Sequence, residues 1–296
     1  MEDRILFKPG HTACAGCGQA IAARLVIEAA GANTIVANNT GCLEVFTTAY
    51  PESAWNVPWI HSLFENSAAV ASGIEAALIH LGKKDTTNVI AQGGDGGTAD
   101  IGLQALSGML ERGHDILYVC YDNEAYMNTG VQRSGLTPFD TNTSTSPTGA
   151  KSTGNIRPKK PMPEIALAHG IPYVATCSTG FIPDITRKVK KAFSIKGPKY
   201  IQIHVPCPLG WRHETNQTLD VAKLAVETGL YPLVEYENGV LISRRQIMPK
   251  PVQEYLKTQG RFKHLLNNTE ELKKIQAIAD NNIAKYGLKA EKTSET

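Results

Sequence analysis

Short apolar runs, each about a strand's length, alternate along this chain with helical stretches that end in glycine. The runs lie at 34–38, 88–92, 115–121, 172–177 and 200–205, and the helix-like segments at 19–30, 67–81, 99–111, 163–168 and 182–193. Gly31, Gly82, Gly113, Gly170 and Gly197 each sit just past a helical segment, where a C-terminal cap needs positive φ. Strands joined through helices run parallel, because a parallel pair needs a crossover connection. The expected fold class is therefore α/β, a parallel sheet with crossover helices. At 296 residues and 42% hydrophobic the chain can bury a sizeable core without staples.

The rhythm fades past Trp211, which divides the chain into 1–212, expected to carry the sheet, and 213–296, expected to pack on that core or on a partner subunit. The last residues, about 20 of them and ending in charged and small side chains through Thr296, read as a frayed tail. Between 128 and 160 the sequence turns dense in Thr, Ser, Gly, Asn and Pro. A loop of that length is either a flexible insertion or a segment that orders over a cofactor or partner. A net charge of +2 excludes a basic nucleic-acid surface. No apolar run approaches the roughly 20 residues of a membrane span. The N-terminus has no signal-peptide core, and the cytoplasm is the default compartment.

Ligands of parallel sheets bind beyond the carboxyl ends of the strands. Three of the loops there carry chemistry. Gly93-Gly94-Asp95-Gly96-Gly97 follows one strand; its glycines allow close backbone approach to an anion. An aspartate among them would repel phosphate unless a cation such as Mg2+ intervened, since that ion takes carboxylate or carbonyl oxygens together with diphosphate oxygens. The next strand leads into Asp122-Asn123, an amide 28 residues after Asp95, with the Ala125 carbonyl as a further oxygen. Asn128 lies in the same loop, and its amide could reach substrate or merely bond its own turn.

The cysteines supply the third kind of chemistry. Cys14-Ala15-Gly16-Cys17 precedes a helix; a zinc ribbon would need a second close pair, which is lacking, and a dithiol redox site would need only these two. Cys120 and Cys177 sit inside apolar strands and read as core. Cys42 and Cys207 sit in loops on the edge that carries the Gly-Asp-Gly run. Cys14, Cys17, Cys42 and Cys207 are together enough for one [4Fe–4S] cluster. His11, His61 and His204 are read as structural, and Glu44 and Glu65 as local structure.

Taken together, His11 to Gly18, Thr40-Gly41-Cys42, Ala54 to His61, Gly93 to Gly97, Asp122 to Gly130 and Pro206-Cys207-Pro208 resemble the β subunits of the 2-oxoacid:ferredoxin oxidoreductases, pyruvate:ferredoxin oxidoreductase foremost. The resemblance covers roughly 8–212 and implies a thiamine diphosphate-binding domain. It implies Mg2+ on Asp95, Asn123 and the Ala125 carbonyl, and a [4Fe–4S] cluster on Cys14, Cys17, Cys42 and Cys207. It further implies a cofactor surface of Gln19, Cys42, Gly94 to Gly97, and Asn123, Glu124, Ala125, Tyr126, Met127 and Asn128, with Asn128 at the reacting end. The family pattern often has Glu where this chain has Gln19, and single-chain relatives have Thr where it has Asn123. No second α/β domain is present to supply the glutamate that activates the aminopyrimidine, so the resemblance assigns that residue to an α subunit. The remaining partners it implies are ferredoxin-like and γ-type subunits, ferredoxin and coenzyme A, in the oxidative decarboxylation of pyruvate to acetyl-CoA. A sister enzyme acting on a branched-chain, aryl or 2-oxoglutarate substrate, a non-redox thiamine enzyme and a non-catalytic metal-binding module are the competing readings.

Overall fold

A computed structural model describes residues 5–290. In chain order the elements are α1 (Gly18–Ala30), β1 (Thr34–Asn38), α2 (Cys42–Thr47), β2 (Trp59–His61), α3 (Ser67–His80), β3 (Asn88–Gly94), α4 (Asp95–Ala99), α5 (Leu103–Glu111) and β4 (Leu117–Asp122). There follow α6 (Met162–Leu167), β5 (Tyr173–Ser178), α7 (Ile182–Ser194), β6 (Lys199–His204), α8 (Pro208–Trp211), α9 (Thr218–Glu227), β7 (Val234–Glu237), β8 (Val240–Arg244), α10 (Val252–Leu256) and α11 (Thr269–Tyr286). The sheet order is β2-β1-β3-β4-β6-β5-β7-β8. The first six of these strands pair in parallel, and β7 and β8 close one side as an antiparallel hairpin. β4, β5 and β6 are buried at every position, as expected for strands covered on both faces.

All five expected strands are present, each displaced by no more than two residues at either end, and all five glycines adopt positive φ. The single helix expected over 99–111 is instead two, α4 and α5. The chain breaks at Asp100 and Gly102, where a Cβ on Gly102 would lie 2.0 Å from the Gly97 carbonyl. That break lets the Asp100 carboxylate turn outward to accept the Gly135 N–H and the Tyr126 hydroxyl. Beyond Trp211, β7 and β8 extend the sheet where no strand is expected. Glu235, fully buried on β7, explains why: its carboxylate is satisfied by Tyr173 and Arg187, partners a sequence pattern does not reveal. The frayed end begins later than expected. α11 continues to Tyr286, capped at its start by Asn268 and closed by Gly287 in the left-handed region. The remainder of that tail, 291–296, lies outside the described residues.

The 128–160 stretch has almost no regular structure, yet Ser134, Leu136, Thr137, Asp140, Thr141, Thr143 and Asn155 are buried in it. Side chains do there what a backbone ladder does elsewhere: Asn155 Nδ2 donates to the carbonyls of Thr137, Pro138 and Arg157. Its density in short polar residues is thus the means by which it is ordered.

Candidate functional site

Strands β1, β3, β4 and β6 are neighbours in the sheet, so the loops leaving their carboxyl ends meet at one edge. Gly94 pairs with Tyr121, and Asp122 with His204. The loops carrying Cys42, Asp95, Asn123 and Cys207 are brought together by this register.

Asp95 is 1% exposed and receives the Ser134 hydroxyl. Burial, and after it the neighbouring Asp122 carboxylate, push its carboxyl well above the usual range. One end of the Asn123 amide lies 2.7 Å from the Ala125 carbonyl oxygen and 3.0 Å from Asp95 Oδ1. Turned with its nitrogen inward, the amide donates to both. Turned with its oxygen inward, three oxygens converge. An octahedral Mg2+ with ligands at 2.0–2.1 Å holds neighbouring oxygens about 3 Å apart. Both separations from the Asn123 amide, and the donor types of the three groups, fit that ion. Asp122 points away, to Lys159 and Gln202.

Of the residues that the resemblance assigns to a cofactor surface, Gln19, Cys42, Gly94, Asp95, Gly96, Gly97, Asn123, Ala125, Tyr126, Met127 and Asn128 line a single pocket. A Cβ on Gly96 would sit 2.2 Å from the Tyr126 ring, whereas Gly94 has open space before it. Gln19 is 4% exposed and its Oε1 has no partner, which suits a polar ligand. Glu124 is the exception among the expected cofactor-lining residues. Its carboxylate turns to the opposite side of the loop, because Lys159, Arg261 and His204 wait for it there.

Cys14, Cys17, Cys42 and Cys207 all border an adjoining cavity, which shares Gln19, Cys42, Asn123 and Asn128 with the first. Cys17 caps α1, Cys42 begins α2, and Cys207 caps α8 with its sulfur accepting the Gly210 N–H at 3.4 Å. The Cys14–Cys17 loop approaches so closely because Gly16, at φ +72°, would place a Cβ 2.1 Å from the Thr215 carbonyl, and Gly18 one 2.8 Å from the Pro206 carbonyl. Burial first, then the nearby Cys207 and Cys14 sulfurs, pushes the Cys17 thiol up to about 11. The same causes, burial ahead of Cys207 and Cys17, push Cys42 up to about 12. Thiols crowded in this way favour a cationic centre that would remove their mutual repulsion. All six cysteines are free, and Cys120 and Cys177 are buried in β4 and β5. No three His, Cys, Asp or Glu among the described residues are grouped tightly enough for a single metal ion. Four sulfurs spread around one cavity suit a multi-iron cluster better than zinc, whose tetrahedral thiolates lie about 4 Å apart.

Sequence reasoning missed what lies behind the Asn123 loop. Glu124 is held at φ +69°, a left-handed conformation unusual for a side chain of its size. Burial alone would raise its carboxyl, but Lys159 and Arg261 outweigh burial and hold it well below the usual range. The Arg261 guanidinium also stacks on Trp211, 3.7 Å from the ring centroid, and Trp211 Nε1 donates to the Asn123 carbonyl at 2.8 Å. Arg261 stands 137 residues after Glu124, so no local pattern could have announced it. Arg261→Met leaves the buried Glu124 with Lys159 as its one strong cation. It is expected to lower stability by about 3 kcal/mol, seen as an earlier urea midpoint, with Arg261→Lys losing less.

A family model described as thiamine pyrophosphate enzyme, C-terminal TPP binding domain, matches residues 39–203. The pyruvate synthase subunit PorB of Methanosarcina barkeri is 61% identical over 283 residues, covering 94% of this chain and 96% of that protein. The PorB subunit of Methanocaldococcus jannaschii is 57% identical, covering 95% and 96%. The ketoisovalerate oxidoreductase subunit VorB of Pyrococcus abyssi is 49% identical, covering 90% and 88%. Among solved structures, a chain of the 2-oxoglutarate:ferredoxin oxidoreductase from Magnetococcus marinus, determined with 2-oxoglutarate, coenzyme A and succinyl-CoA bound, superposes with a TM-score of 0.58. At 21% identity, covering 75% of this chain and 81% of that one, it shares the fold.

Proposed function

The chain belongs to the PorB family of 2-oxoacid:ferredoxin oxidoreductase β subunits, and from that premise we propose that it carries out the thiamine diphosphate half of pyruvate oxidation. The reaction converts pyruvate, coenzyme A and two oxidised ferredoxins to acetyl-CoA, CO2, a proton and two reduced ferredoxins, and it is reversible. Pyruvate is favoured because the relatives at 61% and 57% identity are pyruvate synthase subunits, although a pyruvate synthase subunit and a ketoisovalerate subunit from Pyrococcus are both 49% identical to this chain. One observation carries the reading: the pocket at the Asp95 oxygen triad adjoins the cavity that the four cysteines border, with Gln19, Cys42, Asn123 and Asn128 on the shared wall.

When bound, thiamine diphosphate supplies the carbanion chemistry that releases CO2, and a [4Fe–4S] cluster takes electrons one at a time. Asp95, Asn123 and the Ala125 carbonyl would hold Mg2+, and Gly94 leaves room for the diphosphate. Cys14, Cys17, Cys42 and Cys207 would hold the cluster. Asn128 lines both cavities beside Cys42, which places it at their junction, where its amide can orient a 2-oxoacid. An α subunit would supply the glutamate facing the aminopyrimidine, so this chain alone is expected to be inactive. Ferredoxin-like and γ-type subunits would carry electrons on to ferredoxin. Reduced thiols persist in the cytoplasm, the compartment that suits this ligand set. No helix among the described residues is long and apolar enough to cross a membrane.

The test is the anaerobically purified complex, mixed in turn with pyruvate, 3-methyl-2-oxobutanoate and 2-oxoglutarate. Pyruvate is expected to produce the electron paramagnetic resonance signal of a reduced [4Fe–4S] cluster, and with coenzyme A to reduce ferredoxin at least about tenfold more efficiently than the other two. A tenfold preference for another 2-oxoacid would move the substrate and keep the chemistry. Absence of any cluster signal would remove the electron-transfer role.

A further inference from the structure

The 128–160 loop grips both halves of the oxygen triad. On the Asp95 side, the Ser134 hydroxyl donates to the carboxylate, Gly135 N–H donates to Asp100 Oδ2 at 2.9 Å, and Lys160 reaches the Ala99 carbonyl at the end of α4. On the Asn123 side, Thr137 Oγ1 donates to the Glu124 carbonyl at 2.7 Å, and Lys159 Nζ donates to Asp122 Oδ2 at 2.8 Å and Glu124 Oε1 at 2.7 Å. Asp122 and Glu124 flank Asn123, and Glu124 also separates it from Ala125. Asn123 and Ala125 supply the amide and carbonyl oxygens of the triad.

We propose that Lys159 is a positioning residue for the divalent cation: by tying Asp122 and Glu124 together behind the loop, it fixes the Asn123 amide and the Ala125 carbonyl in the arrangement the ion requires. The proposal rests on the metal reading given above. Glu124 sits at positive φ, a conformation that persists only where the surroundings over-determine it. Lys159 is the tie that comes from the loop, whereas Arg261 comes from beyond α10. Loop order and metal affinity are consequently linked, each favouring the other.

The sign of the effect separates positioning from charge. Lys159 is itself a cation close to a cation site, so its electrostatic influence on the ion is repulsive. On charge alone, Lys159→Met tightens metal binding. If Lys159 positions the ligands, the same change weakens it, even though a repulsive charge has gone. Loss of outer residues that orient metal ligands commonly costs about 10- to 100-fold in affinity.

The experiment uses the assembled complex, freed of metal and cofactor and titrated with Mn2+ in the presence of thiamine diphosphate, with free Mn2+ read by electron paramagnetic resonance. Lys159→Met is expected to weaken Mn2+ binding at least about tenfold and Lys159→Arg to recover most of that loss. Unchanged or tighter binding in Lys159→Met would overturn the proposal. Should Lys159→Met fail to assemble, hydrogen exchange of the unaltered complex decides: added Mn2+ and thiamine diphosphate are expected to slow exchange of the 134–137 and 159–160 amides, and no change would overturn it. Asp95→Asn serves as the control on the site itself. If that variant binds Mn2+ as tightly as the unaltered complex, the metal lies elsewhere, and the underlying reading fails rather than the role of Lys159 within it.

Discussion

Cys207→Ala is expected to lower the iron and labile sulfide content of the purified complex, whereas Cys120→Ala is expected to leave both unchanged. The two residues are the same chemically and differ in surroundings. Cys207 caps α8 at the rim of a cavity that three other sulfurs border. Cys120 is 0% exposed in the middle of β4, among side chains that exclude any ion. On the proposed ligand set, removing one of four thiolates would leave an iron without a protein ligand, and the expected outcome is loss of most of the cluster. Removing the buried sulfur of Cys120 creates a small void, costing about 1–2 kcal/mol of stability. Iron and sulfide analysis of the two purified complexes checks the first effect, and urea midpoints check the second. Equal iron content in both variants would overturn the ligand assignment.

Asp95→Asn is expected to weaken Mg2+-dependent binding of thiamine diphosphate by at least about 100-fold while leaving the metal-free chain as stable as before, or more stable. The two halves have opposite signs for one reason. In the absence of a cation the Asp95 carboxylate is disfavoured, chiefly by burial and then by Asp122. A neutral amide of the same shape removes that penalty, as exchanging a buried charge for a neutral group often does. With a cation present, the carboxylate is the one charged ligand in the triad, and its loss is felt in full. Calorimetric titration with thiamine diphosphate and Mg2+, set beside thermal melts of the metal-free protein, reads both halves. A variant that both melts earlier and binds normally would show that Asp95 is structural.

Much of the site was legible in the sequence because its residues follow parallel strands, and such strands leave their loops on a common edge. Gly93 to Gly97, Asn123, Cys42 and Cys207 could be placed from apolar runs and helix-ending glycines, whereas the Cys14–Cys17 loop precedes the first strand and was tied to them through its cysteines and the family resemblance. What escaped was whatever depends on distant partners. Glu124 looks like another residue of the cofactor loop until Arg261, Lys159 and His204 are seen behind it. β7 lacks a readable strand pattern because it buries a glutamate, and that burial is tolerable only beside Tyr173 and Arg187. The 128–160 loop is legible as unusual, but its order comes from specific side-chain bonds such as those of Asn155, which composition does not encode.

The order of strands in the sheet also sets a timetable for synthesis. β4 lies between β3 and β6, and β6 is made only after β5, so the edge that bears Asp122 stays open while some 80 further residues are added, the separation of Asp122 from Gln202 being 80. Glu124 waits longer still, 137 residues, for Arg261. At about 5–20 residues per second this is roughly 7–27 s during which a nascent chain holds Glu124 without its guanidinium partner, with Lys159 as the cation made earlier. That edge of the sheet, begun early in translation, is thus finished late, and a ribosome that stops short of Arg261, eight residues before α11 begins at Thr269, releases a chain in which Glu124 has never met its guanidinium partner.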